Sequence, residues 1–389
     1  MSKIIGIICE YNPFHNGHKY QIDRIREEID DAIIIIIMSG STVQRGQFAI
    51  FDKYTRARAA LKYGADAVFE LPYPYSSSCA EIFARAGVNI AANIGCDYLY
   101  FGTESKNIEH IESVAKALDS LEFEEYFKEE LLEKNQSFIS AKERALKRMS
   151  YEIPNTSNDM LALEYIRAIK ALNSDMKYKA IQRKGANYND ENICETMSAT
   201  AIRKNFKENG KLLSVPCDAK SLYENEINDG NVLDERAFND FIYKYALITP
   251  RFLFDEAFDS NKEIGAIIKE SASNSKTAND FIEGLSSKAY TSSRIKRVIL
   301  YTVFGIKAIE KVPNFTLLLA ANNNGKKIIN KTRKNNNFTI ITKHSDGKNL
   351  SVEQKHLLEK NYEIYGFFSS FLKNPVKLKD IYSKKPILE

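Results

Sequence analysis

KIIGIICEYNPFHNGHKYQIDRIREEI, residues 3–29, decides the fold. Lys3 to Cys9 is almost wholly apolar and β-branched, the composition of a strand covered on both faces. Pro13 then forces a turn, and His15-Asn16-Gly17-His18 lies where a helix predicted over Gly17 to Ile29 should begin. Ala32 to Met38 is a second apolar run of the same kind, so strand, helix and strand follow in the order of a parallel βαβ unit. Outward from this unit the alternation continues. Strands are predicted at Ala67 to Glu70, Tyr98 to Phe101 and Lys177 to Gln182, with helices at Asp52 to Tyr63, Ser78 to Ile94, Ile108 to Leu118 and Asp159 to Leu172. The fold class is α/β, a doubly wound parallel sheet.

Glu122 to Met149 breaks the alternation, being highly charged and helix-favouring, and reads as a helical insertion. After Asn209 the strand pattern fades. Ala237 to Ala246, Phe252 to Phe258, Asn279 to Leu285 and Ser292 to Phe304 carry apolar residues three and four apart, which predicts a mostly α-helical C-terminal domain. The expected division is therefore 1–215 and 216–389, with the boundary near Gly210 to Asp218. Ala320 to Phe338, with its two asparagine triplets among lysines, reads as turn or loop.

Composition narrows the class. With 389 residues, 44% apolar and 27% charged, the chain is globular and neither collagenous nor wholly disordered. The longest aliphatic run, Ile33 to Met38, is far short of the roughly 20 residues of a membrane-spanning helix, and no signal-peptide core follows the Met-Ser-Lys start. A cytoplasmic protein with no membrane partner is expected. The five cysteines (Cys9, Cys79, Cys96, Cys194, Cys217) form no CxxC pair, which argues against a zinc ribbon or redox motif and reads as buried thiols. Charge is uneven. Lys311 to Glu389 holds 15 Lys+Arg against 6 Asp+Glu, so a chain of net charge +4 leaves −5 for the preceding 310 residues. A basic segment on a mildly acidic body suits a polyanion, although a lysine-rich solvated surface has the same composition.

Two clusters carry chemistry. His15 to His18 follows a strand end, where ligands of open parallel sheets gather and a helix N-terminus offers free N–H groups, so paired imidazoles there suit a nucleotide phosphate. Gly17 would let an adenine ring approach the backbone. The pair could instead cap the helix or begin a metal site, although His110, His344 and His356 show no metal spacing. Met197 to Lys204, with Ser198, Thr200, Arg203 and Lys204 at a helix start, is a second anion site or an ordinary cap beside basic surface residues. Gln44-Arg45-Gly46 falls on the same rim, where Arg45 could hold a carboxylate or an RNA backbone, or pair structurally with Asp52 or Glu70. Arg56 and Arg58 read as surface or RNA-facing.

These residues carry a resemblance. His15 to His18 is similar to the HIGH signature of the nucleotidyltransferase superfamily. Ser198 to Arg203 resembles its ISSTxxR signature, with Met197 and Ala199 in place of Ile and Ser. GIICEYNPFHNGHKYQI, MSGSTVQRGQFAIFDKYTRARAAL, GADAVFELPYPYSSSCAEIFA, FGTES, SNDMLALEYI and IQRKGANYND together resemble the bacterial tRNA(Met) cytidine acetate ligase family over about the first 205 residues. The likeness continues more weakly through SSRIKRVILY. Asn189 stands where relatives often have His after the Tyr.

The resemblance implies a HIGH-type Rossmann-like ATP-binding domain and an enzyme that acetylates the wobble cytidine of elongator tRNA(Met) through an acetyl-adenylate. It implies ATP and acetate as substrates, with Mg²⁺ on the phosphates and no tightly bound cofactor. It assigns ATP binding to Ile7, Ile8, Cys9, Glu10, Tyr11, Asn12, Pro13, Phe14, His15, Asn16, Gly17, His18, Lys19 and Tyr20, and to Gly102, Asn158, Arg183 and Ser198. His15, His18, Thr200 and Arg203 become the catalytic group, His18 at the α-phosphate and His15 towards the β and γ positions. Gln44 and Arg45 are candidate acetate or RNA contacts. Two other functions fit the same residues: an adenylyltransferase acting on a small phosphorylated acceptor, and a non-catalytic RNA-binding protein on the same scaffold. The helical, basic second half gives the first of these little purpose, and intact His15, Gly17, His18, Thr200 and Arg203 argue against the second.

Overall fold

The computed structural model describes residues 2–133, 138–183, 197–287, 289–335 and 338–389. The opening unit is β1 (Ile4–Cys9), α1 (Asn16–Glu28) and β2 (Ile33–Ser39). A small hairpin, β3 (Thr42–Val43) and β4 (Gln47–Phe48), leads to α2 (Lys53–Lys62), β5 (Ala67–Leu71), α3 (Ala80–Ile94), β6 (Tyr98–Thr103) and α4 (Ile108–Leu118). The charged insertion forms α5 (Leu121–Leu132) and α6 (Phe138–Arg148), after which α7 (Ser157–Ala171) returns the chain to β7 (Lys177–Gln182). Then come α8 (Ala199–Asn209), α9 (Cys217–Asp229), α10 (Glu235–Ile248), α11 (Arg251–Asp255), α12 (Lys262–Asn274), α13 (Ala278–Gly284) and α14 (Ser292–Val303). The last segment is β8 (Phe315–Ala321), α15 (Asn323–Asn335), β9 (Thr339–Ile341), α16 (Val352–Ser369), α17 (Leu378–Ser383) and β10 (Ile387–Leu388).

The sheet runs β10-β8-β5-β2-β1-β6-β7, with β9 on β8. β5, β2, β1, β6 and β7 are mutually parallel. Their order reverses direction between β1 and β6, so the carboxyl ends of those two strands flank the switch point at which doubly wound sheets bind ligands. Alternation along the strands feeds two cores. Ile5, Ile7, Ile34, Ile36 and Met38 face α1, α2, α8 and α9. Ile4, Ile8, Ile35 and Ile37 face α3, α4 and α7, in a core that runs on without a break through residues of α10 to α14 and α16. Phe48 shows the join, its ring lying 4.9 Å from Phe238 and 5.5 Å from Phe368.

Three readings need correction. The expected limit at 215/216 is not a boundary of the sheet, because β8, wholly buried, pairs antiparallel with β5. Ala320 to Phe338 is not loop throughout. The Asn322 side chain accepts from the N–H groups of Asn324 and Gly325 and so starts α15, while Thr332 Oγ1 donates to Ile94 O and buries that helix against α3. Tertiary burial overrides the weak helix propensity of asparagine here. The cysteines are not uniformly buried: Cys96 is, Cys9 and Cys79 are half-buried, Cys217 is exposed, and Cys194 lies outside the described residues.

Candidate functional site

The turn after β1 is built from inside. Arg56, with no exposed surface, donates to Phe51 O, Glu10 O at 2.7 Å, Ser39 O at 3.0 Å and Gly40 O. It is therefore neither surface nor RNA-facing as read from sequence; it satisfies carbonyls at the strand ends, which would otherwise be buried unpaired. Arg58 is exposed. From α9 the buried Tyr223 hydroxyl accepts from Phe14 N at 3.0 Å, and its ring stacks on Phe51. Side chains of Ile7, Ile8, Tyr11 and Phe14 belong to the core, which leaves their backbone as the part able to meet a ligand. Lys19 pairs with Asp23, and Tyr20 is half-buried on the first turn of α1.

His15 caps α1. Its Nδ1 accepts from Gly17 N at 3.0 Å, and His18 Nδ1 accepts from His15 N at 3.2 Å. The two rings stack with centroids 3.7 Å apart. A Cβ on Gly17 would lie 2.9 Å from His15 Cε1, so the glycine makes room for that imidazole rather than for an adenine ring. Burial first, then Arg183 and Arg203, pushes His15 down to about 3. Burial, His15 and Arg183 push His18 well below its ordinary value. Both rings are neutral at pH 7. Since each Nδ1 accepts a backbone hydrogen, the tautomer this network assigns carries its proton on Nε2. Capping and ligand binding are thus compatible, because one nitrogen of each ring serves the helix and the other remains a donor.

The second cluster meets the first. Ser198 caps α8 through Ala201 N. Arg203 Nη1 donates to Asn12 O at 2.7 Å and Nη2 to Thr200 Oγ1 at 3.2 Å, which joins it to the turn before His15. Ser214, missed in the sequence, ties the two helix starts: its carbonyl accepts from Asn16 N at 2.9 Å and its hydroxyl from Met197 N at 3.0 Å. No local pattern signals it.

The remaining candidates lie on two sides. On one, Asn158 donates to the Glu104 carboxylate, Arg183 Nη1 stands 3.9 Å from it, and Gly102 lies beneath the Arg183 side chain. On the other, Gln44 N donates to Glu10 Oε1 at 2.8 Å, and burial raises the pKa of that carboxyl. Arg45 is exposed and pairs with neither suggested partner: Glu70 is held by Lys53 at 2.7 Å, and Asp52 caps α2 and accepts from the Tyr365 hydroxyl. Gly46 has φ +70, and a Cβ there would lie 2.5 Å from Arg297 N, so the hairpin docks directly on α14. That docking brings in Lys296, half-buried, its pKa lowered by burial and, against the pull of Glu235, by Arg45. The sequence quoted it only inside SSRIKRVILY. Asn189 lies outside the described residues, among which no three His, Cys, Asp or Glu side chains come together as a metal cluster. Buried neutral donors with arginines around them, at a sheet's switch point, suit a polyphosphate.

Fold and site define a HIGH-type nucleotidyltransferase. The family model described as HIGH Nucleotidyl Transferase matches residues 2–381. The tRNA(Met) cytidine acetate ligase of Caldicellulosiruptor bescii is 36% identical over 372 residues, covering 92% of this chain and 91% of its own. That of Clostridium novyi is 32% identical over 401 residues, covering 97% and 100%. Among solved structures, Thermotoga maritima TmcAL bound with alpha-thio ATP is similar with a TM-score of 0.89 and 28% identity over 99% of both chains. The chain belongs to the tRNA(Met) cytidine acetate ligase family.

Proposed function

We propose that the protein activates acetate with ATP and transfers the acetyl group to the N4 amine of the wobble cytidine of elongator tRNA(Met). The observation that carries this is the pair of neutral imidazoles whose Nε2–H groups remain after both Nδ1 atoms have capped α1. Acetate is a poor acylating agent, so one of its oxygens attacks the α-phosphorus and pyrophosphate leaves with the bonding electrons. Such a transfer needs charge spread over phosphate oxygens rather than a protein nucleophile. His18 serves the α-phosphate, and His15, Ser198, Thr200 and Arg203 serve the β and γ positions. Magnesium accompanying ATP would neutralise part of the triphosphate charge. The basic C-terminal half holds the tRNA, with Lys327, Lys331, Lys348, Lys373 and Lys377 exposed there.

The test is incubation of the full chain with ATP, labelled acetate and tRNA transcript, followed by mass spectrometry of the nucleosides. N4-acetylcytidine at the wobble position, dependent on both ATP and acetate, is expected. Adenylylation of a small phosphorylated acceptor with no change in tRNA would refute the reading.

A further inference from the structure

We propose that the groove between the β3–β4 hairpin and the start of α7 receives the target cytosine, flipped out of the anticodon loop. This rests on the ligase reading above. The groove is open to solvent and offers about 250 Å³. Its polar side is Gln44, Asn155, Thr156 and Ser157, and its apolar side is Ala80, Met160 and Leu161. Enzymes that modify a base take it out of the stack, hold its faces between apolar side chains and read its edge by hydrogen bonds. The lining has both parts. The Gln44 side-chain amide and the Ser157 hydroxyl can donate to the O2 and N3 acceptors of cytosine, the Thr156 hydroxyl hydrogen being committed to Glu104. The volume falls below the roughly 300–1,000 Å³ of pockets that enclose drug-sized ligands. A single base suits it, whereas acetate alone would leave most of it empty.

Position supports the same occupant. One wall is tied to the nucleotide loop, since Gln44 N donates to Glu10 Oε1 at 2.8 Å. The other is tied to the opposite side of the nucleotide site, since Thr156 Oγ1 donates at 3.0 Å to the Glu104 carboxylate that also holds Asn158. A base in this groove therefore lies between the two attachments of the nucleotide site. Arg45, exposed and next in sequence to Gln44 of the groove wall, supplies positive charge for the RNA backbone. In the step served, the N4 nitrogen forms a bond to the acetyl carbon and the acyl–oxygen bond to AMP breaks. AMP leaves with that electron pair, and the amine releases one proton to water.

The experiment separates two half-reactions in the full-length protein: acetate-dependent exchange between ATP and pyrophosphate, and acetyl transfer to tRNA transcript. Ala80→Trp, which fills the groove, should leave exchange within about 2-fold of wild type and reduce transfer by about 10²-fold or more, the cost of misplacing a reactant by an ångström or so. Ser157→Ala should lower transfer by about 2- to 10-fold, the loss of one hydrogen bond. Transfer by Ala80→Trp at the wild-type rate would overturn the assignment, as would loss of both half-reactions in a variant that melts like wild type. Failure of the wild-type chain itself in both assays would instead refute the ligase reading, so the two errors are distinguishable.

Discussion

Lowering the pH from 7 to 5 should destabilise the folded chain by about 2 kcal/mol through His15 alone. The imidazole is 2% exposed and stays neutral in the native state down to about 3, whereas it takes a proton near 6.5 when unfolded. Between those two values the unfolded chain binds more protons, so stability falls as pH falls. Each unit below 6.5 costs about 1.4 kcal/mol, and one and a half units lie between 6.5 and 5. Urea titrations at pH 7 and pH 5 on wild type and His15→Asn measure it. Asparagine is a favoured cap whose side-chain oxygen can accept from Gly17 N, and it does not titrate. Wild type should lose about 2 kcal/mol more than the variant over this interval, and equal losses would refute the buried neutral imidazole. The same neutrality predicts that acetate-dependent exchange shows no inflection near pH 6.5, while His18→Ala slows it by about 10²- to 10³-fold. An inflection there that vanishes in His18→Ala would make the ring a cationic donor and overturn the assignment.

Arg203→Lys keeps the charge but loses the fork that reaches both Asn12 O and Thr200 Oγ1, so ATP affinity measured by calorimetry should fall by about 10-fold. Unchanged affinity would make Arg203 only a strut between α8 and the turn. Lys53→Met strips the partner from Glu70, both 1% exposed. It should cost about 3–5 kcal/mol in urea melts, and Lys53→Met with Glu70→Gln clearly less; equal costs would mean the pair is not coupled.

The first 103 residues were largely legible because local signals agree there: apolar runs read as buried strands, a proline turn follows β1, and a polar cap opens α1. Helices α2 and α3 were located within two residues for the same reason. What sequence could not give depends on partners distant along the chain. FTLLLAA, residues 315–321, is apolar enough for a buried strand, but its neighbouring asparagines read as loop, and only its pairing with β5 reveals it. Arg56 looked like surface because its need, four carbonyls gathered from three segments, exists only after folding. In the site, His15, His18, Thr200 and Arg203 were visible as residue types at helix starts. Glu104 and Lys296 were not, since each acquires its meaning from residues on another element.

Ser214 has a consequence for motion. It sits at φ +55 with 8% exposure, and one residue's carbonyl and hydroxyl hold the first N–H of α1 and the N–H of Met197, just before α8. Neither helix start can swing away from the other without giving up one of these bonds, so the two candidate phosphate-binding elements are coupled through one residue. On the proposed reading, the donors offered to the triphosphate are therefore held in register with one another before it arrives.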